Sequence, residues 1–166
     1  MTDRVEFLVR ALLIGIGATL TMDLWAALLR KFGVPSLNFA FLGRWLGHLP
    51  EGRWRHPSIA QAAPVKGEAV IGWCAHYSIG VGFALLLLWG FGLSWARSPS
   101  VLPALFVGVV TVAAPWFVLQ PALGAGIASS KTAAPLRNSL KSLVTHVVYG
   151  FGMYLAALAS AAVLPS

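Results

Sequence analysis

The chain has 166 residues, of which 58% are hydrophobic and only 10% are charged. A soluble domain carries about 25% charged residues, so this composition excludes an ordinary soluble globular protein and favours a membrane protein. The net charge of +7 is then expected to set membrane topology and to contact anionic lipid, rather than to bind nucleic acid.

Four hydrophobic stretches are long enough to cross a bilayer as helices, for which about 20 residues are needed. They cover residues 7–29, 69–92, 101–123 and 140–163. Because backbone groups in lipid must be hydrogen-bonded internally, and because these stretches are continuous rather than alternating, helices are favoured over a barrel. We predict an all-α integral membrane protein, a four-transmembrane-helix bundle forming one domain over residues 1–166.

Three local patterns add detail to this prediction. Residues 37–49 interleave aromatic residues with positive charges, which predicts a short helix in the membrane interface. Pro115 lies inside the third stretch and predicts a bend there. Glycines follow His76 and His146 at identical offsets, which indicates two parallel helix-pair repeats.

Lysine and arginine are distributed unevenly between the two sides of the predicted bundle. Nine belong to the first and third loops with their borders: Arg30, Lys31, Arg44, Arg53, Arg55, Lys66, Lys131, Arg137 and Lys141. Three belong to the other side: Arg4, Arg10 and Arg97. The positive-inside rule therefore places both loops in the cytoplasm and both termini outside.

Each predicted span carries a strongly polar side chain at a similar distance from its cytoplasmic end. These side chains belong to Asp23, His76, Gln120 and His146. Ionisable residues inside spans are costly and usually functional. Imidazoles with a carboxylate suit a divalent metal ion, and a histidine can instead relay protons. We therefore predict an intramembrane polar layer that handles an ion or a small solute.

Residues of the first loop are expected to surround the cytoplasmic mouth of this layer. His56 and Glu68 are predicted gate residues. The residues predicted to contact lipid at the interface are Arg44, Trp45, Arg53, Trp54 and Arg55.

Two alternatives remain open at this stage. His76 and His146 could ligate a haem for electron transfer, or the polar residues could serve only to pack a structural or assembly subunit of a membrane complex. No motif places a serine nucleophile against a base, so we assign no catalytic residues. The sequence leaves open the cofactor, the oligomeric state and any membrane partner.

A set of motifs extends over nearly the whole chain. They occupy residues 17–25, 33–38, 43–48, 55–59, 67–68, 72–73, 76–80 and 119–121, followed by Gly124 and Gly126. Together these motifs resemble the bacterial domain-of-unknown-function family 2938. The resemblance implies a small polytopic protein of the bacterial inner membrane and implies no activity.

Overall fold

The computed structural model describes residues 2–164, so residues 1, 165 and 166 of the predicted domain lie outside the described range. Six α-helices follow one another within it: α1 Asp3–Lys31, α2 Phe39–His48, α3 Glu68–Arg97, α4 Val101–Thr111, α5 Gln120–Leu123 and α6 Pro135–Val163. Short 3₁₀ helices cover Leu49–Glu51, Ile59–Gln61 and Ile127–Ser129, and a π-helix covers Ala114–Leu119. Residues 2–164 contain no β-strand.

Four helical segments are long and apolar enough to cross a membrane, which confirms the predicted fold class. They are Asp3–Lys31, Glu68–Arg97, Val101–Leu123 and Pro135–Val163. Each predicted stretch falls inside one of them, and three of the four helical segments run several residues further. Large apolar side chains on these segments are exposed, for example Leu24, Trp89 and Leu102 at 65%, 81% and 74%. A bilayer would cover such side chains with lipid tails.

Two spans are locally irregular. Gly92 has φ 77° and ψ 173° inside α3, a backbone conformation that glycine adopts without a steric penalty. The prediction ended the second span at this residue, but helix resumes and continues to Arg97. In the third span, the sequence predicts a bend at Pro115, and the structure shows a π-helix around that proline. Proline cannot donate a backbone hydrogen bond, which explains a change of helix type there.

The chain forms two compact units. The first comprises residues up to Val34, Tyr77–Thr111 and the chain from Thr145 onward, and the second comprises Pro35–His76 and Val112–Val144.

The helices of the first unit approach one another at small residues. A Cβ atom added to Gly15 would collide with the backbone of Val81, and one added to Gly108 would collide with the backbone of Gly150. Small residues of this kind allow close helix contact in membranes. Between these contacts, side chains such as Met153 are fully buried.

The second unit is built around the contact between α2 and the beginning of α3. A Cβ atom added to Gly72 would overlap the carbonyl oxygen of Phe39, and one added to Gly43 would overlap that of Glu68. The side chain of Asn38 caps α2 by accepting a hydrogen bond from the Ala40 N–H at 3.0 Å. The helix predicted over residues 37–49 therefore forms, and its backbone lies directly on that of α3.

Candidate functional site

Asp23 is the carboxylate that the sequence places inside the first span. The Tyr77 hydroxyl donates a hydrogen bond to Asp23 Oδ2 at 3.0 Å, which joins α1 to α3 within the first unit. Both residues are partly buried. The tyrosine hydroxyl is an uncharged hydrogen-bond donor. This contact therefore holds the carboxyl group in place without an ion pair between the two side chains.

His146 is buried in the same unit, with 9% of its surface exposed. Its Nδ1 lies 3.1 Å from Thr111 Oγ1, and that hydroxyl lies 2.8 Å from the Gly108 carbonyl oxygen. When the threonine hydrogen is donated to the carbonyl, Nδ1 of His146 donates to the threonine oxygen, and the neutral ring then presents a lone pair at Nε2. When the threonine hydrogen is donated to Nδ1, the neutral ring carries its proton at Nε2 instead.

His76 and Gln120, the other two residues of the predicted layer, belong to the second unit. The His76 ring stacks on Phe39 at 4.0 Å between centroids. Gln120 Nε2 donates to Ser142 Oγ at 3.1 Å, whereas its Oε1 is buried without a hydrogen-bond partner. Trp116 Nε1, four residues earlier, is also buried without a partner. The predicted polar layer did not include Trp116.

A three-ligand metal centre is not formed by the described residues. Among residues 2–164, no group of three or more His, Cys, Asp or Glu side chains is arranged to hold a metal ion. Structural and catalytic zinc sites use at least three protein ligands, so the geometry does not favour the divalent-metal version of the hypothesis.

Arg44 and Glu68 form a bidentate ion pair in the second unit. Arg44 Nε and Nη2 donate to the two Glu68 carboxylate oxygens at 2.8 and 2.7 Å. Nη1 donates to the carbonyl oxygens of Ile59 and Ala62 at 3.1 and 3.0 Å. The hydrogen bonds to Glu68 raise the pKa of Arg44. We predicted Arg44 at the lipid interface, but its surface is only 8% exposed, because the guanidinium fastens the first loop to α3.

Next to this ion pair lie two buried histidines. His48 Nδ1 is 2.9 Å from His56 Nε2, and the two residues are 3% and 9% exposed. The His56 backbone N–H donates to the Ala122 carbonyl oxygen at 2.9 Å. The structure thus gives His56, a predicted gate residue, a partner that the sequence did not indicate.

The remaining predicted interface residues lie on the surface of the second unit. Arg53, Trp54 and Arg55 are exposed, and Arg53 pairs with Glu51 at 2.8 Å. Trp45 is half-buried and donates its indole N–H to the Trp54 carbonyl oxygen at 3.0 Å. This bond holds the backbone of the exposed segment in place.

Sequence reasoning missed a buried ion network in the first unit. Arg10 is fully buried and donates to Glu6 at 2.7 Å, and Arg97 donates to the same carboxylate at 2.6 Å. Arg10 also reaches the Ala96 carbonyl and the Ser160 hydroxyl, both at 3.3 Å. A sequence signal for this network existed, because Glu6 and Arg10 are an oppositely charged pair four residues apart near the beginning of a largely apolar helix.

Arg44→Lys should lower the thermal unfolding midpoint of the purified protein, whereas Arg53→Lys should leave it nearly unchanged. Lysine can donate only from a single ammonium group, so it cannot reproduce the fork that binds Glu68 and two carbonyls together. Arg53 is exposed, and an exposed ion pair contributes little to stability. Equal midpoints for the two variants would contradict this assignment.

The four long apolar helices and the polar side chains inside them define a polytopic α-helical membrane protein. The model of the family described as "Protein of unknown function (DUF2938)" matches residues 12–160. The chain therefore belongs to this family, as its motifs predicted. No curated protein and no solved structure matches the chain.

Proposed function

We propose that this protein handles protons or a small cation in the bacterial inner membrane, with Asp23 as the principal exchanging group. The observation that carries the proposal is a carboxylate inside a 29-residue apolar helix, bound by a tyrosine hydroxyl at 3.0 Å. A carboxylate in a span is energetically costly, and such residues usually mark ion pathways.

His146 supports the same function from a second position in the first unit. Its ring is held in place by the contact between Nδ1 and the Thr111 hydroxyl, and an imidazole can both bind and release a proton at its ring nitrogens. His76 and Gln120 are the corresponding polar groups of the second unit, and we include them in the proposal.

A structural role is the second candidate, because the same side chains join helices. Asp23 and Tyr77 connect α1 to α3, and Gln120 and Ser142 connect α5 to α6. Interhelical hydrogen bonds of this kind stabilise membrane proteins by about 0.6 kcal/mol on average. This role would suit an assembly subunit or a homo-oligomer.

We further propose that both termini lie outside and that the first and third loops are cytoplasmic. Nine lysines and arginines belong to the first and third loops with their borders, and three belong to the other side, which supports this orientation. Two of the three on the outer side, Arg10 and Arg97, form ion pairs with acidic residues of α1.

Asp23→Asn should reduce proton flux at least about tenfold while changing the free energy of unfolding by less than about 1 kcal/mol. Asparagine has the same shape and still accepts a hydrogen bond from Tyr77, but it cannot bind and release a proton. The flux is measured in proteoliposomes that contain a pH-sensitive dye and are driven by a potassium diffusion potential.

Thr21→Val on the same helix is the matched control. Thr21 Oγ1 donates only to the Gly17 carbonyl at 2.8 Å among the bonds described, so its loss should leave the flux unchanged. If the Asp23→Asn protein kept the wild-type flux, the structural candidate would be supported instead. The same holds if the variant were less stable and its flux fell only in proportion to the loss of folded protein.

A further inference from the structure

The positive charge of the chain is concentrated in the second unit. This unit contains seven lysines and arginines and two acidic residues, a net charge of +5 out of +7 for the whole chain. One of its cations, Arg44, is buried and neutralised by Glu68. Within residues 35–76 and 112–144, Glu51 is the one exposed acidic residue. Five cations of the unit are exposed, namely Arg53, Arg55, Lys66, Lys131 and Arg137.

Residues 53–55 form an exposed segment with a fixed backbone. The Arg53 N–H donates to the His48 carbonyl oxygen at 3.3 Å. The Trp45 indole N–H donates to the Trp54 carbonyl oxygen at 3.0 Å. A segment that is already ordered loses little conformational entropy when it binds a ligand. The three exposed side chains are therefore presented by a pre-organised backbone.

The same segment lies at the end of a membrane span. The His56 N–H, directly after the segment, donates to the Ala122 carbonyl oxygen at 2.9 Å, and Ala122 is the last residue but one of the span Val101–Leu123. The Pro57 carbonyl lies so close to Gly124 that a Cβ atom added to this glycine would overlap it. Spans end where the hydrocarbon core meets the headgroups. These contacts therefore place the segment at the depth of the lipid headgroups.

The side chains of the segment match an anionic headgroup in their chemistry. Trp54 is 65% exposed, and tryptophan is enriched where membrane meets water. Arg53 is paired with Glu51 at 2.8 Å, whereas the exposed Arg55 guanidinium makes no hydrogen bond or ion pair with any part of residues 2–164. A guanidinium can bind two oxygens of one phosphate group at the same time.

We propose that residues 53–55 form a binding site for the headgroup of an anionic phospholipid. Arg55 binds the phosphate, and Trp54 packs among the headgroups beside it. Arg53 contributes less, because Glu51 already balances its charge. The inference goes beyond the proposed function and does not rest on it, since binding a headgroup requires no movement of protons.

Native mass spectrometry of the detergent-solubilised protein, titrated with phosphatidylglycerol, tests the proposal. We expect saturable binding that Arg55→Gln weakens about fivefold, as the loss of one basic residue at an anionic lipid surface implies. Trp54→Ala should weaken the binding as well, because it removes the interfacial side chain. Phosphatidylcholine has the same phosphodiester but no net charge, so it should bind the wild type more weakly than phosphatidylglycerol does.

Arg4→Gln is the matched control, because it removes one exposed positive charge from the first unit. This variant should bind phosphatidylglycerol as the wild type does, and circular dichroism should show that both arginine variants are folded. Equal losses of affinity in the two variants, or wild-type affinity in Arg55→Gln, would overturn the proposed site. Displacement of the lipid by soluble glycerol 3-phosphate would overturn the phospholipid as its occupant.

Discussion

Gly72→Ala is expected to unfold the second unit or to destabilise it by about 3 kcal/mol or more. The added methyl group would overlap the carbonyl oxygen of Phe39, and Gly43 lies against the same contact. Both neighbours are backbone, so neither can move aside as a flexible side chain would. The α2 helix would have to separate from α3, which would also disturb the bond between Arg44 and Glu68. Thermal or detergent-induced unfolding measures the loss.

Gly82→Ala on the same helix is the matched control. A Cβ atom at Gly82 has no neighbour within 4 Å, and alanine favours helix over glycine by about 1 kcal/mol. We expect this variant to be as stable as the wild type or slightly more stable. Equal losses for the two glycines would show that helical glycine itself, rather than the helix contact, determines stability here.

Arg10→Ala is the second large effect that we expect, at about 3–5 kcal/mol of destabilisation. Arg10 is fully buried and joins Glu6 of its own helix to Ala96 and Ser160. Removing the guanidinium takes one of two arginine partners from Glu6, leaves the Ala96 carbonyl oxygen and the Ser160 hydroxyl without this donor, and opens a cavity the size of a long side chain. Unfolding of the detergent-solubilised protein, followed by circular dichroism, gives the loss.

Arg4→Ala provides the control for the loss of one positive charge near the beginning of α1. Arg4 is exposed, and exposed substitutions usually change stability by less than about 0.5 kcal/mol. If Arg10→Ala were no worse than Arg4→Ala, the buried network would contribute nothing measurable to the fold.

The spans were predictable because length and hydropathy alone decide them. Once lipid is the solvent, a continuous apolar stretch such as 101–123 has to be helical, and the positions of Pro115 and Gly92 mark where the helices become irregular. The helix α2 was predictable from the spacing of its aromatic residues. The contact of its backbone with α3 was not, because a glycine such as Gly72 has the same appearance in sequence whether it faces lipid or another helix.

The candidate site was less predictable, since it depends on which loop residues meet. The intraspan residues Asp23 and His146 stand out because charge is rare in an apolar helix. By contrast, His48 and His56 lie eight residues apart on either side of a turn, and only the folded loop brings their ring nitrogens to 2.9 Å. The position of Arg44 was unpredictable for the same reason. Its positive charge indicated a contact with lipid, but its partner is Glu68, which lies 24 residues away in the chain.

The most direct test of the account is the proton flux of the wild-type protein in proteoliposomes under an imposed potential. Protein-free vesicles of the same lipid provide the baseline, and the Asp23→Asn protein, reconstituted at the same density, provides the comparison. The account predicts dye acidification well above the baseline in the wild type and close to it in the variant. Wild-type acidification equal to the baseline, in protein shown by circular dichroism to be folded, would contradict it.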